Sequence, residues 1–170
     1  KKKGSRRTPP PLLVQQDSQN AINEAFRILR SNIEFMSDTP KHKNVYLVTS
    51  MFAGSGKSFI SMNLALALAI KGRRVLVIDG DMRRATATHT FGNREVGLAN
   101  YLGEKVEHVE EVIYQHDEHP SLYILPVGTT PPNPTELLSS PRMPLLLEQV
   151  RPQFDFILID CPMTESLADA

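Results

Sequence analysis

The sequence predicts an α/β fold, a three-layer sandwich in which helices cover both faces of a mostly parallel sheet. Three apolar runs predict it. Val45-Tyr-Leu-Val-Thr-Ser50, Arg74-Val-Leu-Val-Ile-Asp79 and Phe154-Asp-Phe-Ile-Leu-Ile-Asp160 are nearly continuous rather than alternating, the pattern of strands buried on both sides. In such sheets ligands lie beyond the carboxyl ends of the strands. Ser50 with the loop that follows, Asp79 with Asp81, and Asp160 are therefore expected at one edge. Any one of these aspartates could instead be a plain turn or helix cap.

The elements follow in order. Residues 1–16 read as a flexible arm, basic at Lys1, Lys2, Lys3, Arg6 and Arg7 and stiffened by Pro9-Pro10-Pro11. From Asp17, Ile22, Ala25, Phe26, Leu29, Ile33 and Met36 recur at spacings of three and four, the apolar face of a helix. Glu24, Arg27 and Arg30 fall on another side of it. Lys41–Asn44 is a polar connection into the first strand. A helix over Phe59–Lys71 is closed by Gly72. The segment Arg83–Val96 carries no readable pattern. Gly97–Leu102 and Val106–Tyr114 read as short helices, Leu122–Val127 as a strand, and Gly128–Asn133 as a Pro-rich loop. Thr135–Leu138 and Met143–Val150 read as helices leading to the Asp160 strand. Four strands are legible, so the domain of residues 17–170 is expected to continue beyond Ala170.

The loop Met51-Phe-Ala-Gly-Ser-Gly-Lys-Ser58 stands between a strand and a helix, the setting that holds a nucleotide phosphate chain. Gly54 and Gly56 let backbone N–H groups turn toward one point, and the helix start adds its unpaired N–H groups. Ala53, Gly54, Ser55, Gly56, Lys57, Ser58 and Phe59 are the candidate nucleotide contacts. Lys57 can reach the β- and γ-phosphates and the Ser58 hydroxyl can ligate Mg²⁺. Met51 stands where the strict pattern has Gly. The competing reading is a Gly-rich turn that merely caps a helix.

Composition narrows the function classes. With 170 residues and 41% hydrophobic content the chain can bury a normal core. No apolar run approaches the ~20 residues of a membrane span, and no signal peptide is visible. Cys161 is the single cysteine, which excludes an internal disulfide framework. The formal net charge is zero, but residues 8–170 hold 14 basic against 19 acidic side chains, a net charge of −5. That argues against nucleic-acid binding. His116 and His119 lack a clear third metal ligand and read as a polar turn. Cys161 follows an active-site Asp but has no base partner. Asn133, Pro134 and Glu136 suit a helix cap, the first helical position and the third, in a capping-box arrangement.

Together, Ala53-Gly-Ser-Gly-Lys-Ser58, Val75-Leu-Val-Ile-Asp-Gly-Asp-Met-Arg-Arg84, Ile157-Leu-Ile-Asp-Cys-Pro162 and Pro131-Pro-Asn-Pro-Thr-Glu-Leu-Leu138 resemble segments of the bacterial tyrosine kinases. These are P-loop NTPases of capsule and exopolysaccharide export, unrelated in fold to eukaryotic protein kinases. Glu24-Ala-Phe-Arg27-Ile-Leu-Arg30 resembles the family's E-x-x-R-x-x-R helix. The resemblance covers residues 21–170. It implies ATP and Mg²⁺ as cofactors, with Asp79 and Asp81 as the Walker A′ motif and Asp160 as Walker B. Lys57 and Ser58 would hold phosphates and metal, Ser58, Asp81 and Asp160 would form the metal shell, and Asp79 would accept the tyrosine proton. Arg83 would steady transferred charge or pair with an acidic neighbour. Glu24, Arg27 and Arg30 would mediate a ring-like homo-oligomer, the bland alternative being a solvated helix face.

The resemblance also implies a partner, a membrane chain-length regulator of polysaccharide, fused or separate. It places the domain on the cytoplasmic side of a bacterial inner membrane, and Lys1–Arg7 would suit an exit from that membrane. The family's tyrosine-rich tail has no counterpart here, since Tyr46, Tyr101, Tyr114 and Tyr123 are scattered and Tyr46 and Tyr123 fall in strands. Two rivals remain. A partitioning-type nucleotide switch would carry an extra lysine where Phe52 stands, and a non-catalytic scaffold would hold ATP as a structural ligand.

Overall fold

The computed structural model describes residues 10–37 and 44–163. Its centre is a five-stranded sheet in the order β1-β5-β2-β4-β3. β1 (Val45–Val48), β5 (Phe156–Asp160), β2 (Val75–Asp79) and β4 (Leu122–Leu125) run parallel, and β3 (Tyr114–Gln115) is antiparallel to β4. β2 and β5 are buried along their whole length. Their side chains alternate between the two faces, as a pleated strand requires.

Val75, Val77, Leu122, Ile124, Phe156 and Leu158 pack under α2 (Lys57–Ile70) together with Phe26 of α1 (Ala21–Ser37). Leu76, Ile78, Ile157 and Ile159 pack on the other face against Leu98, Tyr101 and Leu102 of α4 (Leu98–Leu102) and Leu146 and Val150 of α6 (Arg142–Val150). α3 (Thr86–Thr90) and α5 (Pro134–Leu138) are single turns beside the strand ends. The three-layer, mostly parallel arrangement is the expected one.

Register matters most for the site. Asp79 of β2 pairs with Asp160 of β5, and Val48 of β1 pairs with the same Asp160. The carboxyl ends of three adjacent strands therefore stand level.

Several expectations are corrected. The sheet has a fifth strand, because Val106–Tyr114 is not a helix. Only Val109–Val112 forms a 3₁₀ turn, burying Val109 and Val112, before the chain extends at Ile113 into β3. α1 begins at Ala21 rather than near Asp17, where Asn20 Oδ1 accepts the Asn23 N–H (2.9 Å), an N-cap bond. The arm does not run free to residue 16. Asn63 of α2 accepts from the N–H groups of Leu13 (2.7 Å) and Val14 (3.2 Å) and donates to the Pro11 carbonyl (3.0 Å), and Val14 is buried. Residues 1–9, with their basic cluster, lie outside the described residues, as do most of the polar connection at 41–44 and the last seven residues.

Candidate active site

The loop from β1 to α2 is exposed from Met51 to Ser55, with Ala53 on its crest. Gly54 (φ +78°) and Gly56 (φ +87°) adopt left-handed backbone that strains any residue with a Cβ. Gly56 caps α2 without a side-chain bond. The first N–H groups of the helix therefore remain open toward the loop, an arrangement suited to phosphate oxygens. Ser55 Oγ ties the crest by donating to the Phe52 carbonyl (2.6 Å). The Phe59 side chain serves the core instead, packing edge-on against Phe26 with ring centres 5.8 Å apart. Only its backbone is left for a ligand.

Lys57 links the three level strand ends. Its Nζ lies 2.9 Å from Asp81 Oδ2 and 3.6 Å from Asp160 Oδ1, and all three side chains are nearly or fully buried. Asp160 also has the Ser61 hydroxyl within 3.5 Å of Oδ1. Burial pushes the Asp160 carboxyl up, while the Ser58 hydroxyl and the Lys57 ammonium pull it down. Asp160 Oδ2 is buried and has no hydrogen-bond partner among the described residues. A buried carboxylate oxygen without a donor is a natural seat for a cation or its water. The oxygen donors of Ser58, Asp81 and Asp160 fit Mg²⁺. Among the described residues no group of three or more acidic, histidine or cysteine side chains is placed to hold a metal ion.

Asp79 is more enclosed than sequence reasoning anticipates. Its side chain is fully buried, its Oδ2 accepts from both the backbone N–H (2.8 Å) and the hydroxyl (2.7 Å) of Thr88, and its Oδ1 accepts the Asp81 N–H (3.3 Å). Burial lifts its carboxyl to about 7 against the pull of the Thr88 bonds, with the charges of Asp160 and Asp81 adding to the rise. Thr88 in turn accepts the Val127 N–H (2.9 Å), so a chain of bonds runs from the end of β4 through α3 to the end of β2. Thr88 and Ser61 are the site residues the sequence did not reveal. Thr88 sits in the patternless segment, and Ser61 offered only the signal of a small polar residue four positions after Lys57.

Arg83 is exposed and has no ion-pair partner within 4.0 Å among the described residues. Glu24 and Arg27 form an exposed ion pair (2.9 Å), while Arg30, which lines one cleft with Arg27, is more enclosed. It turns to Glu34 and to the Ala67 carbonyl of α2 (3.4 Å). Asn133 caps α5 with Pro134 at its start, yet the Asn133 side chain donates to the Glu136 carboxylate (2.7 Å) instead of closing a reciprocal capping box. His116 stacks between Phe91 and His119. Burial, with the Asp160 charge, holds the Cys161 thiol up near 11, so it is no ready nucleophile.

The sequence profile of the AAA domain family matches residues 44–169. A Staphylococcus aureus protein that carries the name of a tyrosine-protein kinase, CapB, is 36% identical over 164 residues, which are 96% of this chain and 71% of that protein. The chain belongs to the bacterial tyrosine-kinase family. This family member is also 38% identical over 160 residues to a Ralstonia solanacearum protein named as the tyrosine kinase EpsB, of which it spans 21%. Among solved structures, the kinase domain of Escherichia coli Etk superposes with a TM-score of 0.85 at 32% identity, covering 96% of this chain and 64% of that one. The cell-division protein MinD of Pyrococcus horikoshii, solved with Mg-ADP, is more distant, with a TM-score of 0.62 at 29% identity over 71% of this chain and 49% of its own. The chain thus shares its fold with both. No helix among the described residues is long and apolar enough to cross a membrane.

Proposed function

We propose that the domain is an ATP-dependent protein-tyrosine autokinase that acts on neighbouring copies of itself in a capsular or exopolysaccharide export system. One observation carries the reading beyond family membership. Lys57 stands between the carboxylates of two different strands, Asp81 and Asp160, at the mouth of an open helix start. Phosphoryl transfer needs charge neutralisation and in-line positioning more than covalent help. The loop N–H groups and Lys57 hold the phosphates. Ser58, Asp81 and Asp160 would hold Mg²⁺, which would supply charge neutralisation to the phosphates. The phenol oxygen bonds to the γ-phosphorus as the bond to the bridging oxygen breaks, giving phosphotyrosine and ADP. The phenol proton passes to the Asp79/Asp81 pair. Asp79, its carboxyl lifted to about 7 by burial, is the member of the pair that takes the proton. Arg83, exposed and unpaired in the described residues, can meet transferred charge.

The resemblance supports the wider setting: a ring built through Glu24, Arg27 and Arg30, a membrane chain-length regulator as partner, and a place at the cytoplasmic face of the inner membrane. The test is mass spectrometry of a glutamate–tyrosine copolymer after incubation with the domain, ATP and Mg²⁺. Phosphotyrosine that disappears in Asp79→Asn supports the kinase. ATP hydrolysis without phosphotyrosine moves the assignment to a nucleotide switch, a reading that the MinD likeness favours. Nucleotide retention with neither activity leaves a scaffold.

A further inference from the structure

A cleft of about 270 Å³ lies where the arm, α1 and the last turn of α2 meet. A helix the length of α2 puts it roughly 20 Å from the phosphate loop, at about 1.5 Å per residue. Three cations line the cleft, Arg27, Arg30 and Lys71, and no acidic side chain does. Val14, Ala67 and Ile70 give it an apolar wall. The arm is held in place there, since the buried Asn23 accepts the Gln15 N–H at Oδ1 (2.8 Å). Arg27 and Lys71 are exposed, whereas the Arg30 side chain is only 13% exposed. One terminal nitrogen of Arg30 donates to the Ala67 carbonyl (3.4 Å). Its buried Nε has no hydrogen-bond partner among the described residues, and Glu34 stands 3.5 Å from it in ion-pair contact only. A buried donor left open calls for an acceptor. Glu24 and Glu34 answer Arg27 and Arg30 without lining the cleft, and Glu34 is shared with Arg73, so positive charge is left in excess.

We propose that this cleft binds an aryl phosphate, the side chain of a phosphotyrosine, with the phosphate on Arg27, Arg30 and Lys71 and the ring against Val14, Ala67 and Ile70. The inference rests on the kinase reading for the source of that group and adds a second site, where the product is recognised. Guanidinium groups meet phosphate oxygens with paired, charge-assisted bonds, and arginine clusters are common readers of phosphorylated side chains. A cavity of ~150 Å³ with apolar walls takes up a benzene ring, so the larger space here holds ring and phosphate together. Inorganic phosphate would satisfy the cations and leave the apolar wall in water. A phosphoserine has no ring to bury against that wall. Phosphorylation gives a neutral phenol a charge of about −1.5 to −2, so unmodified tyrosine has nothing to offer the three cations. The modification is thus read as charge and the residue as a ring. Arg27 and Arg30 are also two of the residues proposed to join neighbouring copies. An aryl phosphate engages both, which ties assembly to the phosphorylated state.

N-acetyl-O-phosphotyrosinamide, titrated into the ¹⁵N-labelled chain with Mg²⁺ and a non-hydrolysable ATP analogue occupying the loop, is the probe. Shifts are expected at Gln15, Arg27, Arg30, Ala67 and Lys71. N-acetyl-O-phosphoserinamide and N-acetyl-tyrosinamide should each bind more weakly by about tenfold or more, since each lacks one half of the recognition. Lys71→Glu, at an exposed position outside the nucleotide site, should weaken the phosphotyrosinamide by a similar factor while the melting temperature and the affinity for the nucleotide analogue stay in place. Arg30→Lys, which keeps the charge and loses the planar fork, should weaken it as well. Inorganic phosphate that binds at these residues as tightly as phosphotyrosinamide reduces the cleft to a general anion site and overturns the proposal. Shifts confined to residues 54–58 overturn it too. Phosphatidylserine vesicles that shift the cleft residues where phosphotyrosinamide does not would assign the cations to a lipid surface instead. Phosphotyrosine formed on the copolymer by a chain whose cleft never shifts sinks the pocket and leaves the kinase standing. Phosphotyrosinamide bound in the cleft of a chain that forms no phosphotyrosine supports the pocket and sinks the kinase.

Discussion

At the scale of single residues, Lys57 separates two buried carboxylates, Asp160 at the end of β5 and Asp81 two residues past the end of β2. Replacing it by methionine removes the only cation shown between them. Breaking a buried pair on one side typically costs about 3–5 kcal/mol, so Lys57→Met should lower the unfolding free energy of the metal-free domain by that order and bring the urea midpoint down with it. Mg²⁺ alone should recover part of the loss, since a divalent ion can sit between Asp81 and Asp160. An unchanged midpoint would mean that the carboxylates simply take up protons. Thr88 makes the second residue-level prediction. Thr88→Val leaves the buried Val127 N–H without its acceptor, a loss of about 1–3 kcal/mol, whereas Thr88→Ser keeps both bonds and should be nearly silent in thermal melts. The two residues differ in how legible they are. Lys57 announces itself by spacing within a loop motif. Thr88 acts through tertiary contacts to Asp79 and Val127, and nothing in its neighbours' pattern marks it.

At the scale of elements, the β3–β4 edge is a pH-sensitive part outside the site. Burial and the neighbouring His119 lower the His116 imidazole below its ordinary 6.5, outweighing Glu118 and Asp117. The unfolded state therefore binds the proton first, and the edge loses stability as pH falls from about 6.5 through the lowered value. Amide exchange at Gln115 and Tyr123 should quicken between pH 7.5 and pH 5.5 beyond the intrinsic trend, and His116→Gln should abolish that excess. A second element-level prediction concerns the start of α4. A Cβ on Gly97 would lie 2.2 Å from the Pro126 carbonyl oxygen and 2.5 Å from the Gly128 nitrogen. Leu98 and Ala99 donate to the Pro126 (2.7 Å) and Val127 (3.0 Å) carbonyls there, so Gly97→Ala must prise α4 off β4 and should lower the melting temperature sharply. Long buried strands and α2 were legible because burial on both faces writes a continuous apolar code. β3 was not, since two residues carry no period, and Val109 and Val112 imitate a helix spacing while forming one 3₁₀ turn.

At the scale of the whole molecule, α1 has an inner and an outer duty. Phe26 and Arg30 face α2, Arg27 stands at the edge of the same cleft, and Glu24 faces outward with Ile28 (56% exposed) and Phe35 (85% exposed). The equal spacing of Glu24, Arg27 and Arg30 conceals that division, because helical spacing gives an angle around the axis but not the reach of a long side chain. The proposed self-association can be separated from folding on this basis. Glu24→Lys should convert any assembled species to monomer in sedimentation velocity while leaving the melting temperature in place, since exposed ion pairs contribute little. Arg30→Ala should lower the melting temperature as well. A monomeric wild type under all conditions would remove the ring from the account.

The clamp that Asn63 makes on Pro11, Leu13 and Val14 has a mechanical side. Asn63 is six residues into the helix whose first residue is Lys57, and the clamped segment 11–14 follows the basic residues of the sequence directly. The segment behaves as a leash. Tension applied ahead of Pro11 is delivered at Asn63, inside the helix that begins at Lys57, before it can reach any strand.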